Sequence, residues 1–95
     1  MDRLDHDIVD PAVAGTGWER DGDKLVRTSR HGNFRAAMAF VNAVADLAEE
    51  RNHHPDFAIH WDTVVLTLWT HTAGGVTRAD LDLAAAVDKL GRPED

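Results

Sequence analysis

The chain of 95 residues has the size of one compact domain, and its 43% hydrophobic and 28% charged residues are typical of a globular protein rather than a disordered one. Its 17 acidic and 10 basic residues give a net charge of -7, which disfavours direct nucleic-acid binding, and the absence of cysteine excludes disulfides and thiolate zinc sites. The acidic start and the lack of a long apolar run predict no secretion signal and no membrane span, so we expect a cytoplasmic protein.

The first part of the chain predicts an arm followed by a hairpin. Residues 1–17 are interrupted by one proline and two glycines, a composition that favours either a loose arm or a short helix. The stretch from Trp18 to Thr28 then alternates in the manner of two strands, with Asp21 and Gly22 as the expected turn between them.

The clearest helix is predicted from Phe34 to Arg51. Asn33 can cap its start by accepting a hydrogen bond from a free backbone N–H. Pro55 cannot continue a helix and disfavours helical backbone at His54, so the helix must end near Asn52. Its apolar residues recur at helical spacing and predict one buried stripe, formed by Phe34, Ala37, Met38, Val41, Ala45 and Ala48 and broadened by Val44 and Leu47.

The remaining sequence predicts two more strands and a last helix. Residues 57–61 and 64–69 alternate as half-buried strands do, and we expect a turn at Asp62 and Thr63 between them, with one long bent strand as the alternative. A flexible connection leads to Thr77, which opens a helix through about Leu90, followed by a solvated tail at 91–95. Two strands, a helix, two strands and a helix favour a single α+β domain over residues 1–95, an antiparallel sheet with helices on one face.

Three histidines lie at the ends of predicted elements, where this layout can bring their side chains close together. His53 and His54 lie at the exit of the long helix, where unpaired carbonyls favour a protonated imidazole. Glu49 precedes His53 by four residues, so its carboxylate can reach back along the same helix face. His71 follows the last strand, where a side chain can project into a cleft. Imidazoles exchange protons near neutral pH, so this set predicts general acid–base catalysis.

The spacing of these residues is similar to a family signature. Glu49, three residues, the triplet His53-His54-Pro55, five residues, Trp61, nine residues, His71, eight residues and Asp80 resemble the pattern of the pterin-4a-carbinolamine dehydratases. The segments "AFVNAVADLAEERNHHPD", "LTLWTH" and "GVTRADLDLA" also look like that family's central helix, fourth strand and last helix. The resemblance extends from about Trp18 to Leu90.

The resemblance implies a four-stranded antiparallel sheet with helices on one face, in a homodimer or homotetramer. It implies dehydration of a 4a-hydroxytetrahydropterin to the quinonoid dihydropterin, with no metal and no bound cofactor, in the recycling of the pterin that aromatic amino-acid hydroxylases use. Carried over by position, the catalytic residues would be His53, His54 and His71, supported by Glu49 and Asp80, with Trp61 as a wall of the pocket.

The chain departs from the family at the second strand. An arginine followed by two aromatic residues is expected there, but Arg27 is followed by Ser29 and His31, so that edge of the core is expected to differ. The N-terminal arm is also poorer in helix signals than the resemblance leads one to expect, which bears on the oligomer contact.

Plainer explanations exist for several of these residues. Asp80 also fits a purely structural capping box with Thr77. The tryptophans at 61 and 69 are more typical of core or sheet-face positions than of substrate contacts. The remaining histidines, at positions 6, 31 and 60, are expected at the surface. A zinc site that includes His60 is disfavoured because that side chain should point to the opposite sheet face from Trp61.

Two other functions stay open at this point. Relatives of such a fold serve as coactivators or assembly factors, so the chain could be a non-catalytic binding module. It could also be a small oligomeric domain whose histidines only respond to pH.

Overall fold

The computed structural model describes residues 2–90, and the tail predicted at 91–95 lies outside them. The elements in chain order are α1 (His6–Val13), β1 (Glu19–Asp21), β2 (Lys24–Arg30), α2 (Phe34–Arg51), β3 (Asp56–His60), β4 (Thr63–Leu68), a 3-10 turn (His71–Ala73) and α3 (Arg78–Leu90). The four strands form one antiparallel sheet in the order β1-β2-β4-β3, which confirms the predicted α+β class.

The helices cover one side of the sheet. Along β4 the side chains alternate between buried and half-buried; Val64, Leu66 and Leu68 are the buried set, and Leu68 pairs with the buried Leu25 on β2. Paired residues of an antiparallel sheet point to the same side, so these residues form the floor of the core. The other side of β4 stays half-exposed, as expected of an antiparallel sheet with one free face.

The N-terminal segment forms the short helix of the two predicted alternatives. α1 contains Pro11, but Val9 and Val13 pack into the core, and Arg20 of β1 donates two hydrogen bonds to the carboxylate of Asp10. Burial of an apolar helix face offsets the local cost of the proline. Tertiary contact therefore decided a segment that local signals left open.

The first turn lies one residue later than predicted. Asp21 pairs with Lys24, so the two-residue loop is Gly22 and Asp23, and Asp21 belongs to β1. Gly22 has a φ of 61°, a left-handed conformation that glycine adopts without steric cost. The hairpin places the glycine at the first loop position, where this backbone conformation is needed.

The turn between β3 and β4 lies one residue earlier than predicted. His60 pairs with Thr63, and Trp61 and Asp62 form the loop. Asp62 is buried, and its carboxylate accepts hydrogen bonds from the Thr63 hydroxyl and from Arg30 on β2. Burial acts to raise the pKa of Asp62, but these two donors outweigh it and the pKa is lowered. The buried aspartate thus anchors the loop in this register.

β3 is an edge strand, and its predicted burial is wrong. Phe57 is 38% exposed and Trp61, just past the strand, is 66% exposed. Only Ile59 among the strand's residues is partly buried. An edge strand has a neighbour on one side only, so alternation of apolar residues does not ensure that they are covered.

α2 begins and ends where the sequence predicts, but its buried stripe is different. The Asn33 side chain accepts a hydrogen bond from the Ala36 N–H at 2.8 Å, and Asn52 ends the helix in a left-handed conformation. Phe34 is 52% exposed, whereas Phe40, which was left out of the predicted stripe, is buried. The buried residues follow one another three or four positions apart and are Ala37, Phe40, Val44 and Ala48.

His31 takes the place of an aromatic residue at the end of β2, so its prediction as a surface residue is wrong. Its ring stacks on Phe40 with centroids 4.5 Å apart, and its Nε2 is hydrogen-bonded to the Ser29 hydroxyl at 2.7 Å. Burial, together with the charge of Arg27, lowers the pKa of His31 despite the opposing charge of Asp62. His6 and His60 are exposed as expected.

We expect replacement of His31 by phenylalanine to stabilise the protein more at low pH than at high pH. The folded state holds the pKa of His31 below its ordinary value of 6.5, so the unfolded chain binds more protons in this range and stability falls as pH drops through it. Urea denaturation between pH 5 and 8 measures the difference in unfolding free energy between wild type and His31→Phe. His60→Phe is the control at an exposed position, and a pH-independent difference for His31→Phe would contradict the prediction.

Candidate active site

The topology brings the three predicted histidines to one end of the sheet. Asp56, the first residue of β3, pairs with Thr67 near the end of β4. His53 and His54 lead directly into the start of β3, and His71 follows the end of β4 by three residues. All three therefore lie near the same end of these two strands. Trp61 lies at the opposite end of the β3–β4 hairpin, roughly 16 Å away along a strand that rises about 3.3 Å per residue. Within one chain, Trp61 therefore lies far from the three histidines.

His53 is hydrogen-bonded to a buried carboxylate. Its Nε2 lies 2.5 Å from Oδ1 of Asp80 in the first turn of α3, and Asp80 is fully buried. A carboxylate only accepts hydrogen bonds, so Nε2 of His53 donates to it and Nδ1 is the ring nitrogen left for other partners. This contact fixes the orientation of the imidazole, as the partner of a ring nitrogen generally does.

The second oxygen of Asp80 accepts hydrogen bonds from two threonines. The Thr70 hydroxyl and the Thr77 backbone N–H each donate to Oδ2 at 2.8 Å, and the two hydroxyls lie 2.8 Å apart. The bond from the Thr77 N–H is the acid half of the capping box that the sequence predicts. Asp80 therefore caps α3 and holds His53 at the same time, and its buried carboxylate has the donors that burial requires.

Glu49 pairs with His54 and not with His53. Its Oε2 lies 2.5 Å from Nε2 of His54, and both side chains are largely exposed. The helix ends at Arg51, and Asn52 turns the chain with a φ of 51°, so His53 leaves the helix surface and faces Asp80 instead. An exposed contact of this kind contributes little to stability, which leaves His54 free to exchange partners.

His71 begins a 3-10 turn and is not simply the end of a strand. The segment predicted as a flexible connection is closed by a bridge between Thr70 and Gly75, with the Thr70 N–H donating to the Gly75 carbonyl at 2.9 Å. The His71 ring stacks on Trp69 with centroids 4.0 Å apart. Within residues 2–90 it has no hydrogen bond to His53 or His54, and its link to them runs through its neighbour Thr70 and Asp80.

Two residues of this region escaped the sequence prediction. Thr70 had no sequence signal, because its role depends on the packing of α3 against the end of β4. Phe57 lies two residues after Pro55 and pairs with Leu66, so it points to the helix-covered side of the sheet yet remains exposed. An exposed aromatic ring on this side offers an apolar surface near His53 and His54 that Trp61 does not offer within one chain.

The arrangement of these side chains is suited to proton transfer. Across the described residues, 2–90, no three histidine or carboxylate side chains are grouped as a metal ion would require. What the site provides is one imidazole oriented by a carboxylate, a second paired at the surface and a third in a short turn.

None of the described helices is long and apolar enough to cross a bilayer.

Comparison of folds identifies the class of protein. A transcriptional coactivator/pterin dehydratase from Brucella melitensis superposes with a TM-score of 0.89 at 26% identity and covers 96% of this chain and 100% of its own. A pterin dehydratase-like protein described as a RuBisCO assembly factor of the alpha-carboxysome superposes with a TM-score of 0.66 at 26% identity, covering 87% and 96%. The fold is that of the pterin dehydratases.

Sequence comparison gives the family. The profile of the pterin 4 alpha carbinolamine dehydratase family matches residues 2–90, and the chain belongs to this family. A relative from Thermomicrobium roseum, provisionally named a pterin-4-alpha-carbinolamine dehydratase, is 58% identical over 74 residues, 78% of this chain and 80% of its own. A relative with the same provisional name from Natronomonas pharaonis is 43% identical over 89 residues, 94% of this chain and 96% of its own.

We expect Thr70→Val to destabilise the protein by about 1–3 kcal/mol, because it removes a donor to the buried carboxylate of Asp80 without changing the side-chain shape. Chemical denaturation at pH 7 measures this loss. Thr67→Val is the matched control, since the Thr67 hydroxyl on β4 makes no hydrogen bond within residues 2–90, and its change should stay within about 0.5 kcal/mol. Equal effects of the two variants would contradict the role assigned to Thr70.

Proposed function

We propose that this protein dehydrates 4a-hydroxytetrahydropterins to quinonoid dihydropterins in the recycling of a reduced pterin. The observation that carries the proposal is the hydrogen bond between His53 and the fully buried Asp80. This bond lies at the end of the β3–β4 pair near which His54 and His71 also lie. Family membership supports the same substrate class.

The reaction requires one acid and one base. The C4a–O bond breaks as an acid protonates the departing hydroxyl group, which leaves as water. A base removes the proton from N5, and the electrons of that N–H bond form the N5–C4a double bond. One proton is given and one is taken, so two groups that titrate near neutral pH are suited to the task, and each well-placed group contributes about 10²–10⁴-fold.

His53 and His71 are the acid–base pair in this proposal. Nε2 of His53 is bonded to Asp80, so Nδ1 faces the substrate and exchanges the proton there. His71, in its 3-10 turn, provides the second imidazole. His54 binds the pterin by a hydrogen bond, which its exposed partner Glu49 leaves it free to make. Phe57, whose exposed ring lies on the helix-covered side of the sheet, offers the flat heterocycle an apolar surface close to His54 in the chain.

We expect His53→Ala and His71→Ala each to lower kcat about 10²–10⁴-fold, because each removes one proton-transferring group. The measurement is the decay of a 4a-hydroxytetrahydropterin followed by absorbance, with the spontaneous rate subtracted. His60→Ala removes an exposed imidazole at the far end of β3 and should leave kcat unchanged. Turnover close to wild type in both of the first two variants would refute the assignment.

The alternative is a non-catalytic binding module. It is favoured by the two structural neighbours, one named a coactivator and the other an assembly factor. Calorimetric titration with a stable dihydropterin separates the two: the dehydratase should show saturable heat that His54→Ala weakens. Absence of both heat and turnover in the wild type would leave the binding module as the better description.

We further propose that the chain forms a homodimer or homotetramer. Large apolar side chains remain exposed in the single chain, among them Ile8, Phe34 and Trp61. A domain of this size buries only about 60–65% of its unfolded surface, so covering such residues with a second copy would add stability. In that assembly Trp61 could wall the pocket of a neighbouring subunit, although it is remote from its own histidines. Light scattering coupled to gel filtration measures the mass, and a monomer at micromolar concentration would oppose this proposal.

A further inference from the structure

We propose that Trp69 is a positioning residue for His71 and that Lys24 holds the indole ring of Trp69 in place. The inference rests on the proposed function, since it assigns His71 to the reaction. It concerns two residues outside the spaced signature positions: the centroid of the Trp69 ring lies 4.0 Å from that of His71, and the Lys24 ammonium nitrogen lies 4.6 Å from the centroid of the same indole.

His71 differs from the other two histidines in how its ring is held. His53 is bonded to Asp80 and His54 to Glu49, but within residues 2–90 the ring of His71 makes no hydrogen bond. The residue is exposed and belongs to a turn of three residues. The ring instead stacks on Trp69, with an interplanar angle of 28°. This contact is therefore what restricts the orientation of the imidazole.

The indole itself is fixed by the sheet. Leu25 pairs with Leu68, so one step further along each strand Lys24 stands beside Trp69 on the opposite side from the core. The ammonium group over the ring adds a cation–π attraction. The indole Nε1 is buried and has no hydrogen-bond partner among the described residues, so packing and the Lys24 contact set the orientation of the ring.

The same contacts argue against Trp69 as a substrate platform. A flat heterocycle needs an open aromatic face, whereas the indole of Trp69 already carries an imidazole and an ammonium group. Its contribution to catalysis is then geometric. An acid or base must stand within hydrogen-bond reach of the reacting proton, and a displacement of about 1 Å can cost on the order of 10²-fold in rate.

Because the indole nitrogen has no hydrogen-bond partner among the described residues, replacing Trp69 tests the aromatic stack without the loss of a hydrogen bond. Trp69→Phe keeps an aromatic face and loses no hydrogen bond within residues 2–90, whereas Trp69→Leu keeps an apolar side chain and loses the stack. Lys24→Met keeps an unbranched side chain of similar length and removes its charge. Thermal denaturation of each variant identifies any that fails to fold. If Trp69→Leu fails, the His71 signals of the wild type and the effects of Lys24→Met carry the test.

Two measurements decide the proposal. In proton NMR spectra of the wild type, the ring signals of His71, assigned by their loss in His71→Gln, should be shifted upfield by the indole. Trp69→Leu should return them towards the values of a free imidazole and Trp69→Phe should keep most of the shift. For carbinolamine breakdown, Trp69→Leu should lower kcat about 10–100-fold with KM changed less than about 2-fold, Trp69→Phe should stay within about 3-fold, and Lys24→Met should lower kcat a few-fold.

The outcomes separate this inference from the proposed function. Unshifted His71 signals in an active wild-type enzyme, or a Trp69→Leu variant with unchanged kcat, would overturn the positioning role. Unchanged His71 signals and kcat in Lys24→Met would overturn the part assigned to Lys24. A wild type without dehydratase activity would overturn the proposed function, and with it the catalytic meaning of the stack, even if the shifted signals show that the stack itself is present.

Discussion

The buried carboxylate of Asp80 is the interaction on which the site depends. A carboxylate removed from water needs donors on both oxygens, and here they come from three separate parts of the chain: the exit of α2, the end of β4 and the start of α3. Meeting that requirement brings His53, Thr70 and Thr77 together. The cost of leaving the charge unpaired is what holds these three segments in register.

This arrangement couples the stability of the fold to the geometry of the candidate site. Asp80 caps α3 through the Thr77 N–H and orients His53 through its other oxygen, so neither role can be altered alone. The capping explanation and the catalytic explanation of this residue are therefore compatible. A helix cap and a buried histidine partner need the same thing, a carboxylate held rigidly at the first turn of α3.

The fold serves proteins with different described roles, since its structural neighbours carry the names of a dehydratase and coactivator and of an assembly factor. What bears on this chain is its own set of groups. It has all three histidines, each held in a different way: one by a buried carboxylate, one by an exposed glutamate and one by an aromatic stack. A site with one firmly oriented imidazole and two more adaptable ones is consistent with chemistry that must both bind a heterocycle and move two protons.

Local signals and long-range contacts contributed differently to what could be predicted. The alternation of residues 57–61 predicted burial that an edge strand does not supply, and both hairpin turns shifted by one residue because cross-strand pairing and the buried Asp62 decide the register. Glu49 was expected to contact His53, but the left-handed conformation of Asn52 changes the direction of the chain, and Glu49 is hydrogen-bonded to His54 instead. Phe40 and His31 stack on each other in place of the aromatic pair expected on β2.

By itself the sequence determined where α2 starts and ends and that two histidines follow its last turn. The Asn33 cap and the steric effect of Pro55 act through neighbouring atoms, so no distant contact is needed. Only the tertiary structure decided that His53 meets Asp80, 27 residues away, and that His71 rests on Trp69, because those contacts depend on how α3 packs and how the chain turns after β4.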